Sequence, residues 1–374
     1  MKKTNWQTKK LGEICKKASS NISQNQLSDN NGEFPIYGAS GLIKNVDFYH
    51  QEKEYISIVK DGAGIGRLAL LPAKSSIIGT LQYILPQEGV DIKFLYYSLL
   101  SVDFLKHRQG STIPHIYFKD YSEEEIIVPP LHEQLRIVSI LDEALEKLNQ
   151  ARKNIEKNLQ NTKDIFESYL QNVFANPWKD WEEKMLVEIT SHLGDGLHGT
   201  PKYTENGEYY FINGNNLNDW VIRFKEWTKR VSIEEFNKYK KNLTNSTILV
   251  SINGTLGNVA FYNNEKIILG KSACYFNLSE TVDKFYIKYI FSSQHFSKYA
   301  HKEATGATIK NVSLKTMREF KIPLPKLAEQ RNIVCKLNSL STETKRLESI
   351  YQQKLAHLDE LRKSLLQKAF NGEL

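Results

Sequence analysis

The sequence predicts an α+β fold in which two mixed α/β domains stand in tandem and a long helix follows each of them. Three observations lead to this prediction: the chain repeats itself once, both copies contain short runs typical of strands, and both end in a long heptad stripe. The predicted boundaries are residues 1–130 and 177–325 for the domains and 131–176 and 326–374 for the helices. With 374 residues, the chain is long enough for a separate core in each domain.

The repeat has a fixed displacement of 196 residues, from Gly110 to Gly306. The matching segments are Gly110-Ser-Thr-Ile-Pro-His115 and Gly306-Ala-Thr-Ile-Lys-Asn311, Pro129-x-Leu131-x-Glu133-Gln134 and Pro325-x-Leu327-x-Glu329-Gln330, and Leu170-Gln171 and Leu366-Gln367. Upstream, with small insertions, Trp6…Leu11-x-Glu13-Ile14 corresponds to Trp181…Leu186-x-Glu188-Ile189. A chain built twice in this way can close into an object with pseudo-two-fold symmetry.

The two domains are predicted to be rich in short strands. Runs of β-branched and aromatic residues, bounded by Gly, Asn and Asp, mark these strands. They cover residues 55–59, 67–71 and 83–85 in the first copy and 247–252 and 259–262 in the second. A helical patch ends each region, near 94–105 and 284–299.

Gly62-Ala-Gly64-Ile-Gly66 lies between two of the predicted strands and superficially resembles a phosphate-binding loop. It lacks the GxGxxG spacing and a βαβ context, and no GxxxxGK[ST] motif occurs in the chain. The segment therefore predicts a tight strand–turn–strand connection rather than a nucleotide site.

Two long helices are predicted from heptad stripes over 131–175 and about 327–370. The apolar residues of the first stripe alternate by three and four positions once Arg152 and Thr162 are counted as its polar members. The first stripe runs through Val138, Leu141, Leu145, Leu148, Ile155, Leu159, Phe166, Tyr169 and Val173, and the second through Leu337, Leu340, Leu347, Tyr351, Leu358, Leu361 and Leu365. At a rise of about 1.5 Å per residue, each helix is roughly 65 Å long. Two stripes of equal length most simply pack against each other as an antiparallel coiled coil.

The sequence contains little that could perform catalysis. Cys15, Cys274 and Cys335 are far apart in the chain and form no zinc or disulfide pattern, which fits a reducing cytoplasm. The cluster His192-x-x-Asp195-x-x-His198 has ligand-like spacing, but it falls in a turn-rich segment where surface polarity explains it adequately. An Asn/Asp-Pro-Pro-aromatic motif of amino-methylating enzymes is absent, as is any nucleophile–base constellation. We therefore expect no metal site and no enzymatic activity in this chain.

The N-terminus is charged and no run of 18 apolar residues occurs, so we expect a cytoplasmic chain that neither enters nor crosses a membrane. The net charge of +7 permits a polyanionic partner without requiring one. Two other classes of protein stay open at this point. A duplicated nuclease would need a metal-binding carboxylate cluster in each copy, and a coiled-coil scaffold would bind only protein.

The predicted loops carry many groups that can bond DNA bases or phosphates. The candidates in the first copy are Lys44, Asn45, Lys60, Arg108, Gln109, Thr112 and His115. Those in the second copy are Asn213, Asn215, Asn216, Asn253, Thr255, Lys302, Thr308, Lys310 and Asn311. Several occupy matching places but differ in identity, as His115 does from Asn311. Two domains with one scaffold and different contact residues would recognise two different DNA sequences.

The chain resembles the specificity (S) subunit of type I restriction-modification systems over nearly its whole length. The resemblance is carried by the alternation of two domains with two helices and by the paired Trp…Leu-x-Glu-Ile openings and Pro-x-Leu-x-Glu-Gln helix starts. Two further matching stretches are Gly194-Asp-Gly-Leu-His-Gly-Thr-Pro-Lys-Tyr203 and Ser364-Leu-Leu-Gln-Lys-Ala-Phe-Asn-Gly-Glu-Leu374.

The resemblance implies that each domain is a target-recognition domain for one half of an asymmetric, bipartite site in double-stranded DNA. The helix pair would set the length of the unread spacer and bind two modification (M) subunits, which carry S-adenosylmethionine and methylate adenine. Restriction (R) subunits, which use ATP and Mg²⁺, would join that core. The chain itself would bind no cofactor and catalyse no reaction.

Overall fold

The computed structural model describes residues 6–175, 180–306 and 310–374. They form two compact units: unit 1 comprises Met1–Lys157 and Tyr351–Leu374, and unit 2 comprises Asn158–Ile350. The division in space differs from the predicted division along the chain, because each long helix contributes one part to each unit.

Unit 1 consists mainly of short strands followed by the first part of a long helix. Its elements are β1 (Gln7–Lys10), α1 (Leu11–Ile14), β2 (Cys15–Ser19), β3 (Phe34–Gly38), β4 (Gly41–Val46), β5 (Tyr55–Val59), β6 (Leu68–Leu71), β7 (Ser76–Ile77), β8 (Leu81–Pro86), α2 (Ile92–Leu100), α3 (Phe118–Tyr121), β9 (Glu125–Val128) and α4 (Leu131–Ala175). The strands form an antiparallel sheet β2-β8-β5-β6, a sheet β4-β3-β7 in which β3 and β7 are parallel, and the ribbon β1-β9. Strands β5 and β6 form a hairpin around the glycine-rich turn, which confirms the predicted strand–turn–strand connection.

Unit 2 repeats this frame. Its elements are β10 (Glu182–Met185), β11 (Thr190–Asp195), β12 (Tyr209–Ile212), β13 (Leu217–Asn218), β14 (Val221–Ile222), β15 (Arg230–Val231), α5 (Ile233–Tyr239), β16 (Thr247–Ser251), β17 (Val259–Phe261), β18 (Ile267–Leu269), β19 (Ala273–Leu278), α6 (Lys284–Ser292), α7 (Gln294–Glu303), α8 (Leu314–Glu319), β20 (Lys321–Leu324) and α9 (Leu327–Phe370). The sheets β11-β19-β16-β17 and β15-β12-β18 and the ribbon β10-β20 correspond to the three sheets of unit 1, and β12 and β18 are again parallel. The small hairpin β13-β14 has no counterpart among the described strands of unit 1.

The helical patches differ from the sequence prediction at one point in each unit. Instead of one helix over 94–105, α2 ends at Leu100 and a 3₁₀ turn follows at Phe104–His107, because Asp103 caps the Leu105 N–H. Instead of one helix over 284–299, α6 and α7 are separated by Ser293, which has an extended backbone and caps the His295 N–H. A capping side chain with an extended backbone ends one helix and starts the next.

The predicted long helices are confirmed as α4 and α9. In unit 1, Ile137 and Leu141 of α4 are buried together with Phe370 of α9, and Phe94 of α2 packs edge-on against Phe370. Arg136 donates to the Leu374 carbonyl and Arg152 bonds Asp359, so residue numbers rise on one helix as they fall on the other. The two helices are therefore antiparallel. Leu361, predicted in the packed stripe, is 54% exposed because Leu366, Ala369 and Phe370 supply the buried face here.

Each unit has its own hydrophobic core. In unit 1 one cluster fills the space between the antiparallel sheet and α2, with Ile56, Ile84 and Leu95 completely buried. In unit 2 the corresponding cluster joins β16 and β19 to α6 and also includes Leu170 of α4 and Leu337 of α9. Among the described residues, no helix combines the length and apolar content that a membrane span requires.

The repeated Glu-Gln pair at the start of each long helix has a structural explanation. The buried Gln134 amide donates to the carbonyls of Gly89 and Pro129 and accepts the Asp91 N–H, at 2.9–3.1 Å. Gln330 donates to Thr281 and Pro325 and accepts the Asp283 N–H, at 2.8–3.2 Å. Asp91 and Asp283 in turn cap α2 and α6. Each glutamine therefore fixes a long helix to its own domain.

Candidate nucleic-acid interface

In unit 1, the loop after Gly110 is hydrogen-bonded to the glycine-rich turn of the β5–β6 hairpin. The Gly62 N–H donates to Pro114 O at 2.9 Å, and the Ile116 N–H donates to Lys60 O at 3.0 Å. Gln109 and His115 close the loop with two backbone bonds of 2.8 and 2.9 Å. All of these contacts use the backbone, so the side chains along the loop can vary without disturbing it.

Unit 2 contains the same contacts at the repeated positions. The Gly254 N–H donates to Lys310 O at 3.0 Å, and the Val312 N–H donates to Ile252 O at 2.8 Å. Thr305 and Asn311 close the loop with bonds of 2.8 and 2.9 Å. The hydrogen bonds that flank the Gly-x-Thr-Ile motif are thus repeated in the two units. Residues 307–309 of the second copy, with the candidate Thr308, lie outside the described residues.

The glycine that opens each loop is required by backbone geometry. Gly110 has φ +81° and Gly306 has φ +93°, in the left-handed region where a side chain is strained. A Cβ atom on Gly110 would also lie 2.5 Å from the Ile113 carbonyl oxygen. This geometry explains why glycine occurs at both positions of the repeat.

The side chains on the unit 1 loop and turn are charged and paired with one another. Asp61 accepts from His115 Nδ1 at 2.9 Å and lies 3.4 Å from Lys60 Nζ. Gln109 donates to Asp120 at 2.8 Å, and the His115 ring stacks on Tyr117. The structure thus brings together three of the predicted residues, Lys60, Gln109 and His115. Two further candidates, Arg108 and Thr112, are exposed on the same loop.

The corresponding side chains of unit 2 are neutral. Asn253 Nδ2 donates to Asn311 Oδ1 at 3.3 Å, and the Thr255 hydroxyl lies 3.2 Å from that of Ser251. Two further candidates, Lys310 on the loop and Lys302 near the end of α7, are exposed. Amide and hydroxyl groups at this place can both donate and accept hydrogen bonds, as base edges require.

The candidates Asn213, Asn215 and Asn216 follow β12 and adjoin this turn. The Ser272 hydroxyl donates to Asn213 Oδ1 at 3.1 Å, and the Ser272 carbonyl accepts the Ile252 N–H at 3.0 Å. Asn215 is exposed. The segment is therefore connected through Ser272 to the turn that carries Asn253.

Asn216 differs from its neighbours because only 6% of it is exposed. Its Oδ1 accepts the Asn213 N–H at 3.0 Å, and its Nδ2 donates to Arg223 O at 3.0 Å and lies 3.4 Å from Thr228 Oγ1. With both ends of the amide engaged inside the unit, Asn216 has a structural role here, and we leave it out of the DNA-contacting set.

The candidates Lys44 and Asn45 lie on strand β4. Lys44 Nζ donates to the carbonyls of Leu27 and Ser28, at 2.9 and 3.4 Å, and Asn45 is exposed. Among the described residues, neither side chain has a hydrogen bond or ion pair with the loop that carries His115.

One basic and aromatic segment, residues 223–230 of unit 2, was not among the predicted candidates. Trp227 is 71% exposed and Phe224 is 43% exposed, although large aromatic side chains are usually buried. Lys225 lies over the Trp227 ring and Lys229 over the Tyr203 ring, at 5.6 and 5.9 Å. The density of Arg, Lys, Phe and Trp in Arg-Phe-Lys-Glu-Trp-Thr-Lys-Arg was the available signal in the sequence.

The groups that could suggest catalysis are engaged or buried. His192 pairs with the Tyr275 hydroxyl at 2.9 Å and His198 with Asp195 at 2.5 Å. Within the described ranges, no three His, Cys, Asp or Glu side chains are grouped as metal ligands would be. Burial raises the pKa of the Cys15 thiol to about 12 and also raises that of Cys274, which disfavours a nucleophilic thiolate at either position.

Comparison with known proteins agrees with this arrangement. The family model described as the type I restriction modification DNA specificity domain matches residues 3–160 and again residues 178–356. The MjaVIII specificity subunit of Methanocaldococcus jannaschii is 26% identical over 356 residues, covering 89% of this chain and 81% of that protein. The EcoDI specificity subunit of Escherichia coli is 20% identical over 401 residues, covering 99% and 88%.

Solved structures share the fold. One, from work on complex assembly and conformational transition of the type I R-M system, has a TM-score of 0.76 and 18% identity and covers 99% of this chain and 98% of its own. The HsdS subunit of Thermoanaerobacter tengcongensis has a TM-score of 0.62 and 18% identity, with 99% and 97% covered. The family model therefore matches the chain twice, once for each copy of the repeat. The chain therefore belongs to the family of type I restriction-modification specificity subunits, which recognise DNA sequences.

Proposed function

We propose that this chain recognises a bipartite, asymmetric site in double-stranded DNA, with unit 1 binding one half and unit 2 the other, and that it has no catalytic activity of its own. The supporting observation is that one backbone scaffold, the glycine turn with its hydrogen-bonded loop, carries different side chains in the two units. Base contacts determine sequence preference, whereas the scaffold only positions them.

The two sets of side chains suit different base edges. In unit 1, Asp61 can accept from a cytosine amino group, and Lys60 can donate to guanine. In unit 2, the amides of Asn253 and Asn311 can bond adenine, which offers one donor and one acceptor in the major groove. Arg108, Lys302 and Lys310 are exposed cations suited to phosphates. An asymmetric site follows because the two units differ in their contacts.

The chemistry in this proposal belongs to partner subunits. Two modification subunits, carrying S-adenosylmethionine, bind exposed faces of α4 and α9 and methylate adenine in each half-site. Restriction subunits, which use ATP and Mg²⁺, join the same core. The complex acts on DNA in the cytoplasm. The relatives support this proposal because they are named as specificity subunits of type I restriction enzymes.

Methylation mapping at base resolution tests the proposal. We expect DNA from cells that express this chain with its modification subunit to be methylated in two short sequences separated by a fixed, unread spacer. Replacing residues 1–130 with the equivalent domain of another specificity subunit should change only one of the two sequences. Methylation at a single continuous sequence, or a change in both halves after the replacement, would contradict the proposal.

A further inference from the structure

We propose that residues 223–230 of unit 2 form a second DNA-contacting element, which binds the sugar–phosphate backbone beside the second half-site and packs the Trp227 ring against a nucleotide. This inference rests on the proposed function and extends it. The element is absent from the described part of unit 1, so the two half-sites would be bound with unequal contacts.

The element occupies an insertion in the shared frame. In unit 1, β3 and β4 are neighbours in the sheet and only Ala39 and Ser40 separate them. In unit 2, the corresponding neighbours β12 and β15 are separated by residues 213–229. The insertion holds the hairpin β13-β14 and then residues 223–229, followed by Arg230 at the start of β15. Because the insertion leaves the strand order of the sheet unchanged, its residues can contact a ligand without altering the fold.

Aromatic side chains are concentrated and exposed at this place. Trp227 is 71% exposed, Tyr203 44% and Phe224 43%. Exposed aromatic rings beside cations are a frequent means of binding nucleic acid. In a duplex the base faces are stacked on one another, so such a ring packs against a deoxyribose while the cations bind phosphates. Tyr203 and Trp227 line the same cleft of about 360 Å³, together with Arg230. Phe224 packs 4.5 Å from the Tyr210 ring, over which the Arg230 guanidinium lies.

The cations of the segment interact with rings rather than with carboxylates. Lys225 lies 5.6 Å from the Trp227 ring, Lys229 lies 5.9 Å from Tyr203, and the Arg230 guanidinium lies 5.0 Å from Tyr210. Among the described residues, none of these three cations forms an ion pair. A ring contact orients a cation without neutralising it, so the positive charge stays available for phosphate.

The remaining charges leave the segment positive. Arg223 lies 4.0 Å from Asp219, so its charge is partly balanced. Glu205 and Glu226 also line the cleft and contribute two negative charges. The three cations without ion pairs contribute three positive charges, so the positive charge is in excess. A positively charged surface with exposed rings fits duplex DNA better than it fits a basic protein partner.

The turn at the centre of the element is held in place before any ligand binds. The Thr228 N–H donates to Lys225 O at 2.9 Å, and the Lys225 N–H donates to Thr228 Oγ1 at 2.8 Å. Buried Asn216 donates to Arg223 O and lies within bonding distance of Thr228 Oγ1. Because Asn216 also accepts the Asn213 N–H, the turn is continuous with the loop and turn that carry Asn253 and Asn311. A preorganised contact loses little entropy on binding.

The test uses the full chain assembled with its modification subunits and a duplex that contains the mapped bipartite site. W227A should weaken binding about tenfold, because a large aromatic side chain then no longer packs against the nucleotide. K225A/K229A should lower the slope of log affinity against log salt by about 2, because about one counterion is released for each phosphate contact. Hydroxyl-radical footprinting should show lost protection beside the second half-site only.

A matched control removes two cations of the same kind from the neighbouring helix. Lys238 lies over Tyr239 and Lys240 over Phe236, so K238A/K240A deletes the same charge and the same type of ring contact. We expect this control to leave the salt slope unchanged. An equal change in the control would show a general charge effect and would overturn the inference.

The remaining outcomes separate this inference from the proposed function. Normal assembly with unchanged DNA affinity and footprint in W227A and K225A/K229A would overturn the inference alone. Loss of modification-subunit binding in these variants, with DNA affinity of the free chain unaltered, would identify the element as a protein-docking surface and would also overturn it. A wild-type complex that fails to bind any bipartite duplex would overturn both.

Discussion

Units 1 and 2 share their sheet topology and loop hydrogen bonds, but they place charge differently. In unit 1, Lys60, Asp61 and His115 pair with one another on the contact turn. In unit 2, the same turn holds the neutral Asn253 and Asn311, and cations lie at Lys310 on the loop and on the inserted segment 223–230. The comparison teaches that backbone bonds preserve the frame, so that side chains can diverge without loss of structure.

The same contrast occurs where α4 and α9 meet their domains. In unit 1, Tyr97 donates to Asp142, which also receives a 2.7 Å bond from Lys93. In unit 2, Tyr289 donates to the neutral Asn338 at 2.6 Å. The hydrogen bond is repeated, but the ion pair is not. This ion pair is therefore a property of unit 1, and substitutions that exchange or remove charged groups at matching positions test the comparison.

The largest expected effect concerns what the units share. Q134A and Q330A should each destabilise the protein by about 3 kcal/mol, because each leaves one buried N–H and two carbonyls without a partner. Denaturant unfolding monitored by circular dichroism would measure the shift. Q353A, at an exposed position of α9, serves as control and should cost less than about 0.5 kcal/mol. A large loss in one variant only would show that the two anchors are not equivalent.

The next effect should be confined to unit 2. N216A should cost about 2 kcal/mol, because it removes the partner of the Arg223 carbonyl and of the Asn213 N–H in a partly buried place. If Asn216 positions the turn that holds Trp227, then N216A and W227A combined should weaken DNA binding less than the sum of the two single changes. A strictly additive double variant would argue against positioning. N215A, at the exposed neighbour, should leave stability unchanged.

Exchanging the charge of the contact turns should have a smaller, unit-specific effect. N253D places a carboxylate at the position that Asp61 has in unit 1, but without the lysine and histidine that pair with Asp61. Binding of the bipartite duplex should therefore weaken about tenfold, or ~1.4 kcal/mol. D61N should alter the methylated sequence of the first half-site alone. Methylation mapping of both variants would measure this, and a change in the opposite half-site would refute the assignment of units to halves.

The smallest effect is the pH dependence of the Asp142 contact in unit 1, whose place in unit 2 is taken by the uncharged Asn338. Burial alone would raise the pKa of Asp142, but the hydrogen bonds from Lys93 and Tyr97 outweigh it and lower that pKa below the ordinary aspartate value. The carboxylate thus stabilises unit 1 at neutral pH, and this contribution is lost as the pH falls through the lowered pKa. After allowance for solvent screening of a partly exposed pair, we expect about 0.5 kcal/mol.

Acid unfolding of D142N and the wild type measures this contribution. The stability difference between them should be present at pH 7 and shrink toward pH 2. N338D adds a carboxylate beside Tyr289 in unit 2. Phe285 stands there at the position of Lys93, so the new carboxylate lacks the lysine that Asp142 has and should destabilise the protein at neutral pH. A difference between D142N and wild type that stays constant with pH would contradict the assignment.

Much of the scaffold around the candidate site could be predicted from the sequence. Lys60, His115, Asn253 and Asn311 were all predicted in loops, and the structure places them in two equivalent turns. Lys44 and Asn45 were also predicted in a loop, but the structure places them on β4, where Lys44 bonds backbone carbonyls. The segment with Trp227 was overlooked because its cations and rings become one surface only when Tyr203 and Tyr210 are folded beside them.

The repeat, the two long helices and the hairpin around Gly62 follow from the amino-acid sequence, because heptad periodicity, strand patterning and glycine turns are local properties. Which polar groups are available for binding depends on the folded chain. Asn215 and Asn216 are adjacent and chemically identical, yet the fold exposes the first and buries the second. Burial and hydrogen-bond partners depend on residues distant in the chain, here Arg223 and Thr228, and local pattern does not specify them.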